Sequence, residues 1–218
     1  MIEAQASSTP RRRKEALGAT SRETLLKAAK EAFAARGLEG ARVDDIARRA
    51  GINKQLVYHY FGNKDGLYTA VLEQIYREIR EREQELHLAS FPAEEAMRRL
   101  VEFSFDYLAQ HPEFVALIAD ENAHDGRHLK GAPQVEEMNR PIIDLLRETL
   151  ERGMREGIFR KGLDPLHIYL SIAGMAFFYF ANVHTLSRVF NRKLGSEAAI
   201  AERRAHIVDF VLNAIRAR

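Results

Sequence analysis

Residues Val43–Leu67 read VDDIARRAGINKQLVYHYFGNKDGL, and this stretch decides the fold. Two runs of about eight residues each carry apolar side chains at helical spacing, and Gly51 and Gly62 break them. Two short helices joined by a glycine-containing turn have the geometry of a helix-turn-helix. Such a pair needs a small residue where the helices cross, a residue tolerant of positive φ in the turn, and an apolar plug beneath the second helix. Ala47, Gly51 and Val57 suit those three places, with Ile46, Ile52 and Phe61 closing the core. Lys54, Gln55, Tyr58 and His59 are then left to project from the second helix. Lysine and tyrosine suit phosphates, and glutamine presents a paired donor and acceptor to an adenine edge.

Outward from this core, residues Met1 to about Gly18 are small, polar and basic without periodicity, and are expected to form a flexible arm over 1–18. Thr20 and Glu23 form a capping-box pair. Leu25, Leu26, Ala29, Ala32 and Phe33 follow at helical spacing until Gly37, a natural helix end. On the other side Asn63 caps a helix in which Leu67, Val71, Ile75 and Ile79 recur every four residues toward Leu86, a rod between a head and a body. Further helices are expected from Pro92 to near Gln110, from Pro112 to about Ala123, and from Pro133 or Pro141 to before Gly157. Another follows Asp164 and Pro165, and a last one follows Ser196, with Ile200, Ile207, Val208, Val211 and Ile215 on one face. The expectation is an all-α chain of about nine helices with no alternating strand pattern.

The chain has 218 residues, 46% hydrophobic and 29% charged, which excludes a disordered tail protein or a collagen-like fibre. It has no cysteine, so thiolate nucleophiles, thiolate zinc sites and disulfides are excluded. The net charge is only +2, but it is unevenly spread: 13 Lys and Arg face 7 Asp and Glu through Lys64, against 20 and 24 beyond it. A basic first quarter on a mildly acidic remainder is the electrostatic footprint of a nucleic-acid head. Met1 to Lys14 lacks the apolar run of a secretory signal. Pro165–Ser187 has no charged residue for 23 positions, long enough for a membrane span or for a buried core or interface helix. His167, Ser171, Asn182, His184 and Thr185 interrupt it and no second span accompanies it, which favours the protein interior, no membrane partner and a cytoplasmic location.

Residues 43–67 resemble the signature of the tetracycline-repressor (TetR) family of transcriptional regulators, and the resemblance extends over about residues 20 to 75. It implies a helix-turn-helix DNA-binding domain over 19–79 and a helical ligand-binding and dimerisation domain over 80–218. It implies base-edge contacts from Gln55, with Lys54 and Leu56 as further candidates, and phosphate contacts from Tyr58, His59, Tyr60 and Lys64. Two positions depart from the family pattern. Ala41 and Arg42 stand where a Ser or Thr often caps the second helix, so Arg42 becomes a phosphate candidate, and Asn53 stands where a turn Ser is common. Arg11, Arg12, Arg13 and Lys14 are read either as an arm entering a minor groove or as a solvated tail adding affinity. The resemblance further implies a homodimer formed through the last two helices, a palindromic operator, a small-molecule inducer, no cofactor and no enzymatic activity.

In the body, Phe103, Tyr107, Phe114 and Phe178 are candidate ligand-binding residues, with Phe105, Ile118, Phe177 and Phe180 nearby; plain core is the competing reading. The segment Asp120–His128 is dense in polar groups. His124 and His128, four apart, suit a metal with Asp120 or Glu121, although Gly126 argues against one continuous helix. Alternatively Glu121, Asn122 and Arg127 orient a polar group of an inducer. The rival functions are thus a helical metal-dependent hydrolase using 120–128, and a DNA-binding dimer with no inducer. Neither a nucleophile–base pair nor a phosphate-cradling glycine loop supports the first.

Overall fold

The computed structural model describes residues 10–217; for 10–19, 131 and 133 it describes the backbone alone. Among the described residues there are nine α-helices and no strand: α1 Pro10–Gly40, α2 Val43–Ala50, α3 Lys54–Phe61, α4 Lys64–Gln84, α5 Ala93–Gln110, α6 Pro112–Ala123, α7 Pro133–Arg155, α8 Pro165–Val189 and α9 Glu197–Ile215. Two 3-10 turns, Leu88–Ser90 and Leu129–Gly131, flank α5 and α7. The chain divides into two compact units, one through Val71 and one from Leu72. The division falls inside α4 and eight residues before the expected boundary, because the fully buried Leu67, Tyr68 and Val71 pack in the first unit.

In the first unit Leu25, Leu26, Ala29 and Phe33 of α1 are buried, and Phe33 meets Tyr68 edge to face at 5.0 Å. The backbone is helical from Pro10, ahead of the start expected at Thr20. Thr20 therefore lies inside a helix, where Thr24 Oγ1 donates to its carbonyl at 2.7 Å instead of forming a cap. The Ala, Leu, Lys, Glu and Arg between 11 and 19 favour helix and extend it backward. The expected arm thus has helical backbone over 10–18, while residues 1–9 and the side chains of Arg11–Lys14 lie outside what is described. Gly37 ends the regular part of α1, with φ 66° and ψ 176°.

The helix-turn-helix forms as its residues dictate. Gly51 closes α2 in the left-handed region (φ 66°), where its N–H reaches the carbonyls of Ala47 and Arg48. Asn53 Oδ1 accepts from the N–H of Gln55 at 2.9 Å and caps α3. Ile46 and Val57 are fully buried; Ile52 and Phe61 are half-buried and close this core from its edge. Asn63 Oδ1 caps α4 through the N–H of Gly66 at 2.7 Å. A Cβ built at Gly66 would stand 2.1 Å from the Phe61 carbonyl oxygen, so only glycine lets α4 start against the end of α3.

The second unit is built on α5, which packs against α6, α7, α8 and α9. Ala96, Met97, Leu100, Val101 and Phe105 of α5, Leu146 and Leu150 of α7, and Ile207, Val211 and Ile215 of α9 are all buried, and α5 packs on both α7 and α9. The α7 helix starts at Pro133 and carries Pro141 inside it. Asp164 caps α8 through the His167 N–H at 2.9 Å, and Ser196 caps α9. Arg204 of α9 donates through Nε to both carboxylate oxygens of Asp106, at 2.8 and 3.0 Å, and through Nη1 to Glu102 at 3.2 Å. The α8 helix passes the length and hydropathy of a membrane span, but it packs on α5, α6 and α7 while burying few of its own side chains.

Substituting Gly66→Ala forces backbone apart from backbone and is expected to cost the first unit about 2 kcal/mol, as overpacking generally does. Urea unfolding followed by circular dichroism checks this; an unchanged midpoint would mean that the α3–α4 junction yields freely.

Candidate functional site

On the first unit the outward face of α3 carries Lys54, Gln55, Tyr58 and His59, all exposed, with Leu56 and Tyr60 half-buried beside them. The turn at Gly51 sets the angle of α3, and the Asn53 cap fixes its first turn, which carries Lys54 and Gln55. Lys54 Nζ lies 2.5 Å from Asp44 Oδ1 and 6.0 Å from the ring centroid of Tyr58. That hydrogen bond lowers the Asp44 carboxyl below its ordinary value and raises the Lys54 ammonium above its own. Arg42, at the extended residue before α2, is exposed and makes no side-chain cap. Lys64 is half-buried, and its Nζ donates to the Glu39 carbonyl at 3.2 Å, tying the start of α4 to the end of α1. His59 packs its ring 5.2 Å from Tyr60, and Arg22 lies over Phe61 at 5.3 Å.

The second unit holds a cleft of about 390 Å³ between α4, α5, α6 and α8. Phe114, Ile118, Asn122 and Phe177, named from the sequence, line it. Other candidates lie elsewhere. Phe178 is 58% exposed, because one residue along a helix turns about 100° and Phe177 takes the inward direction. Phe103 and Tyr107 pair with each other at 5.6 Å, and Tyr107 packs on Phe114 and His111 behind the cleft. Arg127 is exposed and its Nε donates to His128 Nε2 at 3.3 Å.

The polar segment 120–128 serves the loop that follows α6. The Glu121 carboxylate is buried and accepts from His128 N (2.8 Å), His128 Nδ1 (2.6 Å) and Leu129 N (3.2 Å). His124 Nδ1 makes its bond to the Asp120 carbonyl at 2.7 Å. Glu121 is thus taken up by the turn and not by the cleft, and Gly126, at φ 64°, interrupts the helix between the two histidines. Among the described residues no three His, Asp or Glu side chains gather to hold a metal ion.

The residues missed from the sequence are polar and sit on α4. Arg80 and Glu83 are 6% and 4% exposed, with Nη1 and Oε2 2.6 Å apart, and both line the cleft with Tyr76 and Tyr169. Arg80 Nη2 donates to the Tyr169 hydroxyl at 3.0 Å, and Arg80 Nε has no hydrogen-bond partner among the described residues. Burial pushes the Glu83 carboxyl up to about 7, with Arg80 opposing the rise. The signal was present in the spacing: 76, 79, 80 and 83 share one face of α4, and that otherwise apolar face runs onto an arginine and a glutamate.

An exposed recognition helix on a three-helix base, followed by an all-helical body with an internal cleft, defines the class of helix-turn-helix transcription regulators. Residues 25–71 match the family model for bacterial regulatory proteins of the tetR family, and residues 93–211 match that of the tetracyclin repressor-like C-terminal domain. The HTH-type transcriptional repressor NicS of Pseudomonas putida is 36% identical over 196 residues, covering 90% of this chain and 92% of NicS. The solved ketosteroid transcriptional regulator KstR2 of Mycobacterium tuberculosis superposes with a TM-score of 0.66 at 25% identity, over 90% of this chain and 95% of that one. The regulator FadR of Bacillus subtilis, solved with stearoyl-CoA, shares the fold at 18% identity and a TM-score of 0.65, over 89% of this chain and 99% of that one. The chain belongs to the TetR family of DNA-binding transcriptional regulators, whose members bind operator DNA and small-molecule ligands.

A buried carboxyl whose value is raised opposes folding once it ionises. Below the unfolded value near 4.5 it has no effect; between 4.5 and about 7 the folded state increasingly resists losing the proton; above that the cost is complete. At about 1.4 kcal/mol per pH unit this amounts to roughly 3 kcal/mol. Glu83→Gln is therefore expected to gain stability relative to the unmodified protein between pH 5 and pH 8, read from denaturation midpoints; parallel curves would exclude a raised Glu83.

Proposed function

We propose that the protein is a cytoplasmic repressor that binds a palindromic operator as a homodimer and is released by a small molecule held in the body cleft. The observation that carries this reading is the exposed face of α3, set outward by the Gly51 turn in a chain of this family. On it, Gln55 reads a base edge, with Lys54 and Leu56 beside it, while Arg42, Tyr58, His59, Tyr60 and Lys64 hold phosphates. Lys64 has further ammonium protons beyond the one given to Glu39. Lys54 reaches DNA by leaving Asp44, an exchange between two exposed partners.

Dimerisation is supported by the apolar surface of the last two helices. Leu166, Leu170 and Phe178 lie four or eight residues apart on one face of α8, each half or more exposed, with Phe210 of α9 56% exposed. Two such faces, one from each copy, bury each other in a four-helix bundle. The inducer reading is supported by the cleft, of a size and apolar lining suited to a small molecule. Ligand in the cleft shifts α4, of which Arg80 and Glu83 are part, and so alters the spacing of the paired heads, which must match about one DNA turn.

Selection of bound sequences from random DNA is expected to recover a palindrome with half-sites about one turn apart. On that operator Gln55→Ala lowers preference over random duplex about tenfold and leaves the salt slope alone. Lys64→Ala instead weakens binding to all duplexes alike and lowers the slope by about one. Fluorescence anisotropy across a salt series separates the two, and indistinguishable behaviour of the variants would reject these roles. Phe178→Asp is expected to give a monomer by light scattering and to lose operator binding; a dimer that still binds DNA would place the interface elsewhere.

A further inference from the structure

We infer that the cleft takes an organic monocarboxylate with an apolar body, whose carboxylate binds Arg80 in place of Glu83. The inference rests on the reading of the cleft as the effector site and adds the chemistry of its occupant.

A guanidinium offers five N–H donors in a planar fork, and burial makes each unmet donor costly. Arg80 is more than nine-tenths buried, yet its Nε lacks an acceptor among the described residues. Nη2 is satisfied by Tyr169. Nη1 approaches Glu83 Oε2 closely, but neither atom forms an aligned hydrogen bond. Both residues project from one helix three positions apart, and Glu83 meets the fork at Nη1 through one oxygen, without the two parallel bonds that a carboxylate can take. A carboxylate entering from the cleft has no such tether and can take two parallel bonds from the fork.

The rest of the lining fixes the other properties. Arg80 is the one cation among the residues lining the cleft, which limits the ligand to one anionic group. Tyr76, Phe114, Ile118 and Phe177 supply an apolar wall for its body, with Ser104 and Asn122 as the neutral polar groups. A neutral ligand can accept a bond from the fork but brings no charge to replace that of Glu83, and a cationic one would be repelled by Arg80.

Displacement leaves Glu83 buried without its counter-charge, so it takes a proton from solvent as the ligand binds. Arg80 is the charge that bears on it directly. On α4 it faces Arg80 and Tyr76, whose phenol burial holds above its ordinary value, and α8 presents Tyr169. The cleft-lining side chains of α5 and α6 are neutral, the buried Glu121 of α6 bears on the Tyr76 phenol, and α7 presents Met138, Pro141 and Ile142. Because Glu83 ionises near pH 7, the affinity is flat below that pH and falls up to tenfold per unit above it.

The test is titration calorimetry on the full chain with two matched pairs, octanoate with octanamide and benzoate with benzamide, at pH 6 and 8.5 in buffers of different ionisation enthalpy. At least one carboxylate is expected to bind ten times more tightly than its amide, more weakly at pH 8.5 by tenfold or more, and there with close to one proton taken up. Glu83→Gln is expected to bind that carboxylate with no pH dependence and no proton uptake, and Arg80→Gln to lose the preference over the amide. Equal affinity within both pairs, no binding by either carboxylate, or proton uptake that survives in Glu83→Gln overturns the inference. Ala173→Phe, which fills the cleft, separates this failure from that of the effector reading. If filling abolishes binding of acid and amide alike while the two bind equally, the cleft is a ligand site without the proposed chemistry. If binding survives filling, the cleft is not the site.

Discussion

Along α4 the backbone hydrogen-bonds to itself from Lys64 to Gln84. The first two turns belong to the head, where Leu67, Tyr68 and Val71 are buried, and the later turns present Tyr76, Arg80 and Glu83 to the cleft. One helix therefore contributes side chains to both units. Gly66 holds the beginning of that helix, because no other residue allows α4 to start against the Phe61 carbonyl.

The two units differ in how they handle charge. On the head, Lys54 and Asp44, Arg48 and Asp45, and Arg49 and Glu31 pair at the surface, where water screens them and partners exchange at little cost. The Lys54–Asp44 pair in this way holds a cationic side chain on the α3 face without committing it. In the body, Arg80–Glu83 and His128–Glu121 are buried, and their geometry matters more than their number. Glu121 is fully engaged, with three hydrogen bonds that close the loop after α6. Glu83 is close to Arg80 but badly aligned, and a misaligned buried pair is the one that a ligand can improve on.

The head was legible because each of its parts is local. Gly51 in the left-handed region, the Asn53 cap and the spacing of Ile46, Ala47 and Val57 are decided within a few residues, and the structure has them where the sequence places them. Helix starts were less legible: Thr20 and Glu23 fit a capping box equally well inside a longer helix, and only the helix-favouring residues before them discriminate. The cleft was partly legible. Phe114, Asn122 and Phe177 line it, but Phe178 and Glu121 do not, since aromatic and polar character is visible in a sequence while the direction and the partner of a side chain depend on tertiary neighbours. Arg80 and Glu83 were passed over because surface pairs at that spacing are common; their burial distinguishes them.

The uncharged α8 helix shows why length and hydropathy alone do not assign an environment. A core helix would bury most of its surface, and this one buries only 17% of its most apolar window. A membrane helix would have no reason to place Tyr169, Ala173 and Phe177 along a cleft lined by α4, α5 and α6. The two faces differ in kind: one lines a cavity with Tyr169 and Phe177, the other presents Leu166, Leu170 and Phe178 outward at four- and eight-residue intervals. Gly174 lies in that same outward row, and a Cβ built there would meet nothing within 4 Å, so the row has a flat place where another helix can approach closely. Leu170 and Gly174 also line the cleft, so the outward row and the cavity face share an edge along α8.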